Sequence, residues 1–275
     1  MPTIIVCTNF SETSRNAFAY TCSMVMSQVD KDAFSILLLN VFTIPANYSG
    51  DGIALVTINN ALDSAEDDLR EELEWAHEEF TELNIIGKVT TGRLLDSLKE
   101  EIGEMKAMMV VIGAGGHYGE LWSWDTNILN ALRDLPVPVL TIPPKVKFTP
   151  FVDIAFACNL KNIHSNTPFN QVKSIIELTR ATLHIVYVAS HPIKPGSKEA
   201  DNQLIVQAKL KDVPTVYHTL YENEVVGAIG RFIEEKKIQL LLVIPVKHGI
   251  WESLFRKSYT TELARLNKLP IMALH

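Results

Sequence analysis

Apolar runs rich in β-branched residues alternate along the chain with longer segments of helical periodicity. Such runs are typical of parallel strands that helices bury on both faces. The pattern predicts ten strands, which read TIIVCTN, FSILLLNVF, IIGKVTTG, AMMVVIGA and VPVLTIP, then FVDIAFACN, ATLHIVYVAS, TVYHTLY, IQLLLVIP and LPIMALH. It predicts helices over residues 11–28, 59–83, 93–105, 123–134, 166–180, 199–211, 223–236 and 251–267, with Ser11 as the N-cap of the first. The predicted fold class is therefore α/β, with parallel strands and flanking helices.

The second half of the chain repeats the first. Ile112 matches Ile244 at a spacing of 132 residues, so that VVIG…LPVPVLTI overlays LVIP…NKLPIMAL without a gap. Asn9 matches Asn159 at a spacing of 150, which places insertions or deletions between the two matched regions. A repeat of this length indicates a duplicated unit with five strands in each copy.

The repeat favours two similar domains, residues 1–144 and 150–275, joined by the proline-rich segment PPKVKFTP. One ten-stranded sheet is the alternative. Residues 1–146 hold 9 basic and 21 acidic residues, a net charge of −12, whereas residues 147–275 hold 16 and 11, a net charge of +5. Much of the acidity lies in the run DSAEDDLREELEWAHEEFTEL, which we interpret as the solvated face of a helix.

Composition narrows the classes of protein. The chain has 275 residues, of which 47% are hydrophobic and 21% charged, as in globular proteins. The net charge of −7 argues against nucleic acid and anionic membranes as partners. No apolar stretch reaches about 18 residues, the length that spans a bilayer, and the N-terminus lacks a signal-peptide pattern. We therefore expect a soluble, cytoplasmic protein.

Single reactive residues give little sign of chemistry. The three cysteines lack metal-ligand or redox spacing, so we predict buried thiols in a reducing compartment. His184 lies inside an apolar strand and is predicted to be a hydrogen-bonded core residue. The sequence contains no recognisable catalytic dyad, triad or metal cluster, which favours a protein that is not an enzyme.

Two loops of the first half are candidates for ligand binding, because ligands of open parallel sheets lie at the carboxyl ends of the strands. They are CTNFSETS after the first strand and GAGGHYGELWSWDTN after the fourth. The glycines of the second loop either admit a phosphate close to the backbone or only form a tight turn, and both interpretations stay open. Neither a Walker A loop nor a dinucleotide fingerprint is present, since no Gly-Lys-[Ser/Thr] follows and Tyr118 stands where a glycine is needed.

The duplicated unit, the opening IIVCTNFSETSRNAFAYT and the segment VVIGAGGHYGELWSWDTNILNALRDLPVPVLTI resemble a tandem universal stress protein over nearly the whole chain. The resemblance implies two Rossmann-like domains of the adenine nucleotide alpha hydrolase type. It also implies an intramolecular pseudo-dimer in which the last strand of each half, VPVLTIP and LPIMALH, meet edge to edge. ATP or another adenine nucleotide would lie across the ends of strands one and four.

Residues of the first half match the family's nucleotide motif only in part. ATP-binding members carry Gly-x2-Gly-x9-Gly-[Ser/Thr], with an Asp after the first strand and a Val at the end of the second. Here Asn9 replaces the Asp, and Thr126 and Asn127 replace Gly-Ser. Thr126 adds a side chain where the backbone approaches the phosphate, and Asn127 supplies an amide in place of the hydroxyl. The cofactor-binding residues implied by the resemblance are Asn9, Val41, Gly113, Gly116, Thr126 and Asn127.

The second half departs further from the motif. Pro245, Val246, Lys247 and His248 stand where Gly-x-x-Gly is required, so its site is predicted to be degenerate. We therefore expect a non-catalytic regulatory protein whose first half binds adenine nucleotide weakly, with a homodimer and an unidentified regulatory protein as partners. Three alternatives stay open: a protein-interaction module independent of nucleotide, a binder of another small ligand, and a slow ATP hydrolase.

Overall fold

A computed structural model of the chain describes residues 1–42, 52–114, 133–245 and 268–275. The chain divides into two compact units, Met1–Phe148 and Thr149–His275. Each unit contains its own five parallel strands.

The N-terminal unit is a parallel sheet in the order β3-β2-β1-β4-β5. Because crossovers between parallel strands are right-handed, α1 and α2 lie on one face of this sheet and α3 on the other. Its elements, in chain order, are β1 (Thr3–Thr8), α1 (Glu12–Met26), β2 (Ser35–Phe42), α2 (Gly52–Glu79), β3 (Asn84–Thr91), α3 (Leu94–Met105), β4 (Ala107–Gly113) and β5 (Val139–Ile142).

The C-terminal unit repeats this arrangement in the order β10-β9-β6-β7-β8. The same rule of handedness places α4 and α5 on one face and α6 on the other. Its elements are β6 (Asp153–Ala157), α4 (Phe169–Thr179), β7 (Thr182–Ala189), α5 (Lys198–Lys209), β8 (Thr215–Tyr221), α6 (Val225–Lys236), β9 (Leu240–Val243) and β10 (Ile271–Ala273).

Burial explains why the apolar runs form central strands. Every residue of β1 is buried, and so is every residue of β5 and β9, as expected for strands covered by helices on both faces. The edge strand β3 is largely open, with Ile85 buried and Ile86 exposed. All ten predicted strands and the α/β fold class are confirmed.

Helix limits agree with the sequence pattern except at α2. This helix covers Gly52–Glu79, whereas the sequence predicts residues 59–83. It ends before Leu83 because the chain turns there and brings Leu83 into the core before β3 begins. Ser11 is the N-cap of α1, as predicted, with its hydroxyl 3.3 Å from the Ser14 amide. The predicted helices over 123–134 and 251–267 lie outside the described residues, apart from 133 and 134.

Candidate functional site

The candidate site lies at the carboxyl ends of β2, β1 and β4. The chain leaves β1 toward β2 on one side, whereas β4 lies on the other side, so β1 and β4 flank the topological switch point of this sheet. Ligands of open parallel sheets bind in the crevice at such a point. Thr8 pairs with Asn40, and Cys7 pairs with Ile112, so the strands end at nearly the same level.

This register brings three predicted site residues to one edge. Val41 lies near the end of β2, Asn9 directly follows β1, and Gly113 is the last residue of β4. The remaining three predicted residues, Gly116, Thr126 and Asn127, lie outside the described residues. The structure therefore describes the strand-end half of the predicted nucleotide site.

The side chain of Asn9 is engaged in its own turn. Its Oδ1 accepts from the Ser11 hydroxyl at 2.7 Å and from the Ser11 amide at 3.3 Å. The backbone donor identifies this atom as the amide oxygen, because a nitrogen there would face an N–H group. Asn9 Nδ2 makes no hydrogen bond within the described part of the chain, whereas Oδ1 stabilises the start of α1.

The loop between β1 and α1 is conformationally strained. Phe10 has a φ of 62°, in the left-handed region that a bulky residue adopts at a cost of about 1–3 kcal/mol. Its amide donates to the Thr8 hydroxyl at 3.0 Å, which ties the strained residue to the end of β1. Strain of this kind is characteristic of loops that present groups to a ligand.

Gly113 has a packing reason to be glycine. A Cβ atom at this position would lie 2.7 Å from the carbonyl oxygen of Thr13 and 2.9 Å from its carbonyl carbon. Real Cβ atoms do not approach backbone this closely, so only glycine lets β4 end against the first turn of α1. The close approach that the family resemblance implies for a nucleotide is thus occupied, at this glycine, by the protein's own backbone.

A buried carboxyl group lies beneath the same edge. Glu72 of α2 is 5% exposed, and its Oε2 lies 3.1 Å from the Thr8 hydroxyl, which is also 3.2 Å from the Ser14 hydroxyl. Burial raises the pKa of Glu72, while the hydrogen bond from Thr8 and the charge of Arg15 act in the opposite direction. The Arg15 guanidinium also lies 4.7 Å from the centre of the Trp75 ring, a cation–π contact between α1 and α2.

Glu72 is not among the predicted site residues, because the whole acidic run of α2 was interpreted as a solvated face. That interpretation is wrong at this residue. Within residues 58–79 of α2, the buried positions are Ala65, Leu69, Glu72 and Ala76, at spacings of four, three and four residues. These spacings form one helical stripe, so the periodicity of the run contained the signal that identifies Glu72 as inward-facing.

Asn40 completes the polar layer at this edge. It is 8% exposed, and its Nδ2 donates to the Thr8 carbonyl at 2.9 Å. The last carbonyl group of β1 is therefore satisfied by a side chain of the neighbouring strand. The result is a fixed strand end below the crevice.

The equivalent loop of the C-terminal unit is built differently. Asn159 Oδ1 accepts from the Lys161 amide at 3.1 Å, and a short 3-10 turn over Leu160–Asn162 follows in place of a helix. The helix α4 begins only at Phe169. Of the motif positions where this half departs from the family, Pro245 is described, while residues 246–267 lie outside the described part.

Several general expectations concern metals, thiols and membranes. Among the described residues, no group of three or more His, Cys, Asp or Glu side chains is arranged to hold a metal ion. Cys7, Cys22 and Cys158 are unpaired and buried, as predicted, and burial raises the pKa of each thiol to about 12. None of the helices in the described ranges has the length and apolar character needed to cross a membrane.

Comparisons with known proteins identify the fold. No protein-family model and no curated protein sequence matches the chain. A crystal structure of a universal stress protein from Archaeoglobus fulgidus matches 99% of this chain and 95% of its own, with a TM-score of 0.66 and 15% identity. The chain has the universal stress protein fold.

A second structure agrees with this assignment. A putative universal stress protein from Pseudomonas aeruginosa matches 100% of this chain and 93% of its own, with a TM-score of 0.52 and 14% identity. A universal stress protein family protein from Arabidopsis thaliana with AMP bound matches 52% of this chain, but a TM-score of 0.36 is too low to transfer its ligand. The universal stress protein fold that the sequence resemblance implies is thus confirmed for the whole chain.

Proposed function

We propose that this chain is a regulatory protein of the universal stress type that binds adenine nucleotide weakly in its N-terminal half and catalyses no reaction. The observation that supports the proposal is the alignment of Val41, Asn9 and Gly113 on three adjacent strand ends at the switch point. ATP is the nucleotide that the partly matching glycine motif favours.

Weak binding follows from the state of Asn9. An Asp at this position has two acceptor oxygens, so one can hold the Ser11 turn while the other accepts from the amino group of adenine. Asn9 uses its one acceptor on Ser11 and offers only N–H groups to the base. The adenine amino group therefore loses its acceptor and faces the N–H groups of Asn9 instead. This donor–donor mismatch costs about 1–3 kcal/mol.

Calorimetric titration of the nucleotide-stripped full chain with ATP and AMP, with and without magnesium, tests this proposal. We expect one ATP per chain with a Kd weaker than micromolar, which corresponds to a binding free energy smaller than about 8 kcal/mol in magnitude. Asn9→Asp keeps the Ser11 contacts and restores the second oxygen, so we expect it to tighten binding about tenfold. Mass spectrometry of material that co-purifies with the chain gives an independent readout.

Asn159→Asp is the matched control, because Asn159 is the equivalent residue of the C-terminal unit and caps its own turn in the same way. We expect this variant to leave the titration unchanged. No heat with wild type and none with Asn9→Asp would overturn the proposal. Equal gains in both variants would show that the site does not involve the edge of β1.

A protein-interaction module without nucleotide is the second candidate. Two observations favour it: Gly113 is explained by packing against Thr13, and the Asn9 oxygen is already engaged. This candidate predicts that both titrations above are silent. Slow ATP hydrolysis stays the enzymatic alternative, and turnover of labelled ATP that is equal in wild type and Gly116→Trp would remove it from this site. The pairing of the two halves, a homodimer and a cytoplasmic location stay predictions.

A further inference from the structure

Three polar side chains form a continuous chain across β6, β7 and β8 in the C-terminal unit. His184 Nε2 lies 2.8 Å from Asp153 Oδ1, and His184 Nδ1 lies 2.9 Å from His218 Nε2. The two imidazole rings are nearly coplanar, with 10° between their planes and 5.1 Å between their centres. Coplanar rings with facing nitrogen atoms are the geometry of a hydrogen bond between the rings, not of face-to-face stacking.

Strand register places the three residues on one face. His184 is level with Ala155 and Val216, so Asp153 and His218 stand two residues before and after its level on the neighbouring strands. Phe232 of α6 covers the pair, with its ring centre 4.7 Å from that of His218 and 6.0 Å from that of His184. Asp153 is the first residue of β6, and His184 and His218 lie within β7 and β8, so none of the three stands at the carboxyl-end edge where ligands bind.

Each protonation state of the pair has a defined hydrogen-bond pattern. With both rings neutral, His184 donates from Nε2 to Asp153 and accepts at Nδ1 from His218. With one added proton, the His184 imidazolium donates to Asp153 on one side and to a neutral His218 on the other. With two added protons, Nδ1 of His184 and Nε2 of His218 both carry hydrogen, and the 2.9 Å contact becomes a repulsion between two N–H groups.

We propose that Asp153, His184 and His218 form a binding site for a single proton. The hydrogen bond between His184 and His218 holds the edge strand β8 to β7, and a second proton, bound in mild acid, breaks this bond and loosens β8. Strand β8 lies at the end of its five-stranded sheet, so this contact acts where only one neighbouring strand supports it. None of these three side chains belongs to the candidate nucleotide site.

Charged groups of both signs surround the pair. Within the described residues these are Asp153 from β6 and, from α6, Lys236 and Glu235. Partial burial lowers the pKa of His218 from its usual 6.5, and the charges of His184 and Lys236 lower it further, whereas Glu235 raises it. The folded state therefore binds fewer protons at His218 than the unfolded chain does as the pH falls below 6.5, and stability decreases in that range.

Long-range 1H–15N NMR spectra of the histidine rings of the full chain, recorded from pH 8 to 4.5, test the proposal. At pH 8 we expect both His184 and His218 to carry hydrogen on Nε2. On acidification we expect His218 to take its proton only below its usual pKa of 6.5, together with faster hydrogen exchange at the β8 amides. Protonation of His218 at or above pH 6.5, with β8 exchange unchanged, would overturn the proposal.

A variant separates the pair from the other acid-sensitive groups. His218→Gln retains an N–H donor for His184 Nδ1 but cannot take up a proton. Between pH 7.5 and 5 we expect its Tm to fall by less than that of wild type, while His191→Gln, at an exposed position, follows wild type. If His218→Gln does not fold, the ring spectra of the wild-type chain still decide the question. A Tm that depends on pH identically in all three proteins would contradict the proposal.

Discussion

The hydroxyl of Thr8, the last residue of β1, lies 3.1 Å from a carboxylate oxygen of Glu72, 64 residues later on α2. This contact joins the strand end at the candidate site to the helix that covers it. Because Glu72 is 5% exposed, its ionisation affects the stability of the strand end directly.

Glu72→Gln is expected to stabilise the protein at neutral pH. Burial raises the pKa of Glu72, so the folded state binds more protons than the unfolded state between the unfolded and folded pKa values, and the carboxylate reduces stability above that range. The amide still accepts from Thr8 but needs no charge desolvation, so we expect a gain on the order of 1 kcal/mol at pH 7.5 and less at pH 4.5. Urea unfolding at both pH values measures this.

Glu71→Gln is the control for that experiment, because Glu71 is the exposed neighbour on the same helix turn. Its effect should stay within about 0.5 kcal/mol at either pH. A loss of stability in Glu72→Gln at pH 7.5 would show that the ionised carboxylate, through Arg15, outweighs its desolvation.

Gly113→Ala is expected to destabilise the N-terminal unit whether or not a ligand is present. The added Cβ would lie 2.7 Å from the Thr13 carbonyl oxygen, so α1 or β4 must shift, at a cost of about 1–3 kcal/mol. Gly103→Ala is the opposite case: its Cβ would meet nothing within 4 Å, and alanine favours the helix interior by about 1 kcal/mol. Thermal or urea unfolding of both variants without nucleotide measures these effects. A Gly113→Ala variant as stable as wild type would contradict the packing explanation.

The end of α3 offers a test of backbone strain. Lys106 is the C-cap residue in the left-handed region, with a φ of 49°, and its amide donates to the Ile102 carbonyl. Glycine adopts this conformation without steric cost, so Lys106→Gly should raise the free energy of unfolding by about 0.5–1 kcal/mol. Lys99→Gly, within the same helix, should lower it by about 1 kcal/mol. Equal effects of the two substitutions would contradict this reasoning.

The cysteines should be unreactive in the folded protein. Cys7, Cys22 and Cys158 are buried, with the pKa of each thiol raised to about 12, so both access and thiolate formation are suppressed at pH 8. We expect a thiol reagent to label no cysteine on the timescale of minutes in buffer and all three in denaturing urea. Rapid labelling of one thiol in the native protein would show that its region opens readily.

At the candidate site, the sequence predicts where residues lie but not what their side chains contact. Asn9, Val41 and Gly113 lie at one sheet edge because each ends or directly follows a parallel strand, and the carboxyl ends of parallel strands share an edge. What these side chains contact was not predictable. The engagement of Asn9 with Ser11 is local, but nothing in the residue types shows that the oxygen is used there instead of on a ligand.

The sequence by itself determined the ten strands, the described helices between them and the α/β class, because each depends on local periodicity that packing then reinforces. The duplication followed from the internal repeat. Only the tertiary structure decided that Glu72 is buried beneath Thr8, that Gly113 abuts Thr13, and that the His184 predicted for the core stands between Asp153 and His218. These contacts join residues that lie 31 to 100 positions apart, and they exist because strands and helices distant in the chain are neighbours in the sheet. The burial and charge of each of these side chains depend on the residue it contacts, and no local sequence pattern identifies that residue.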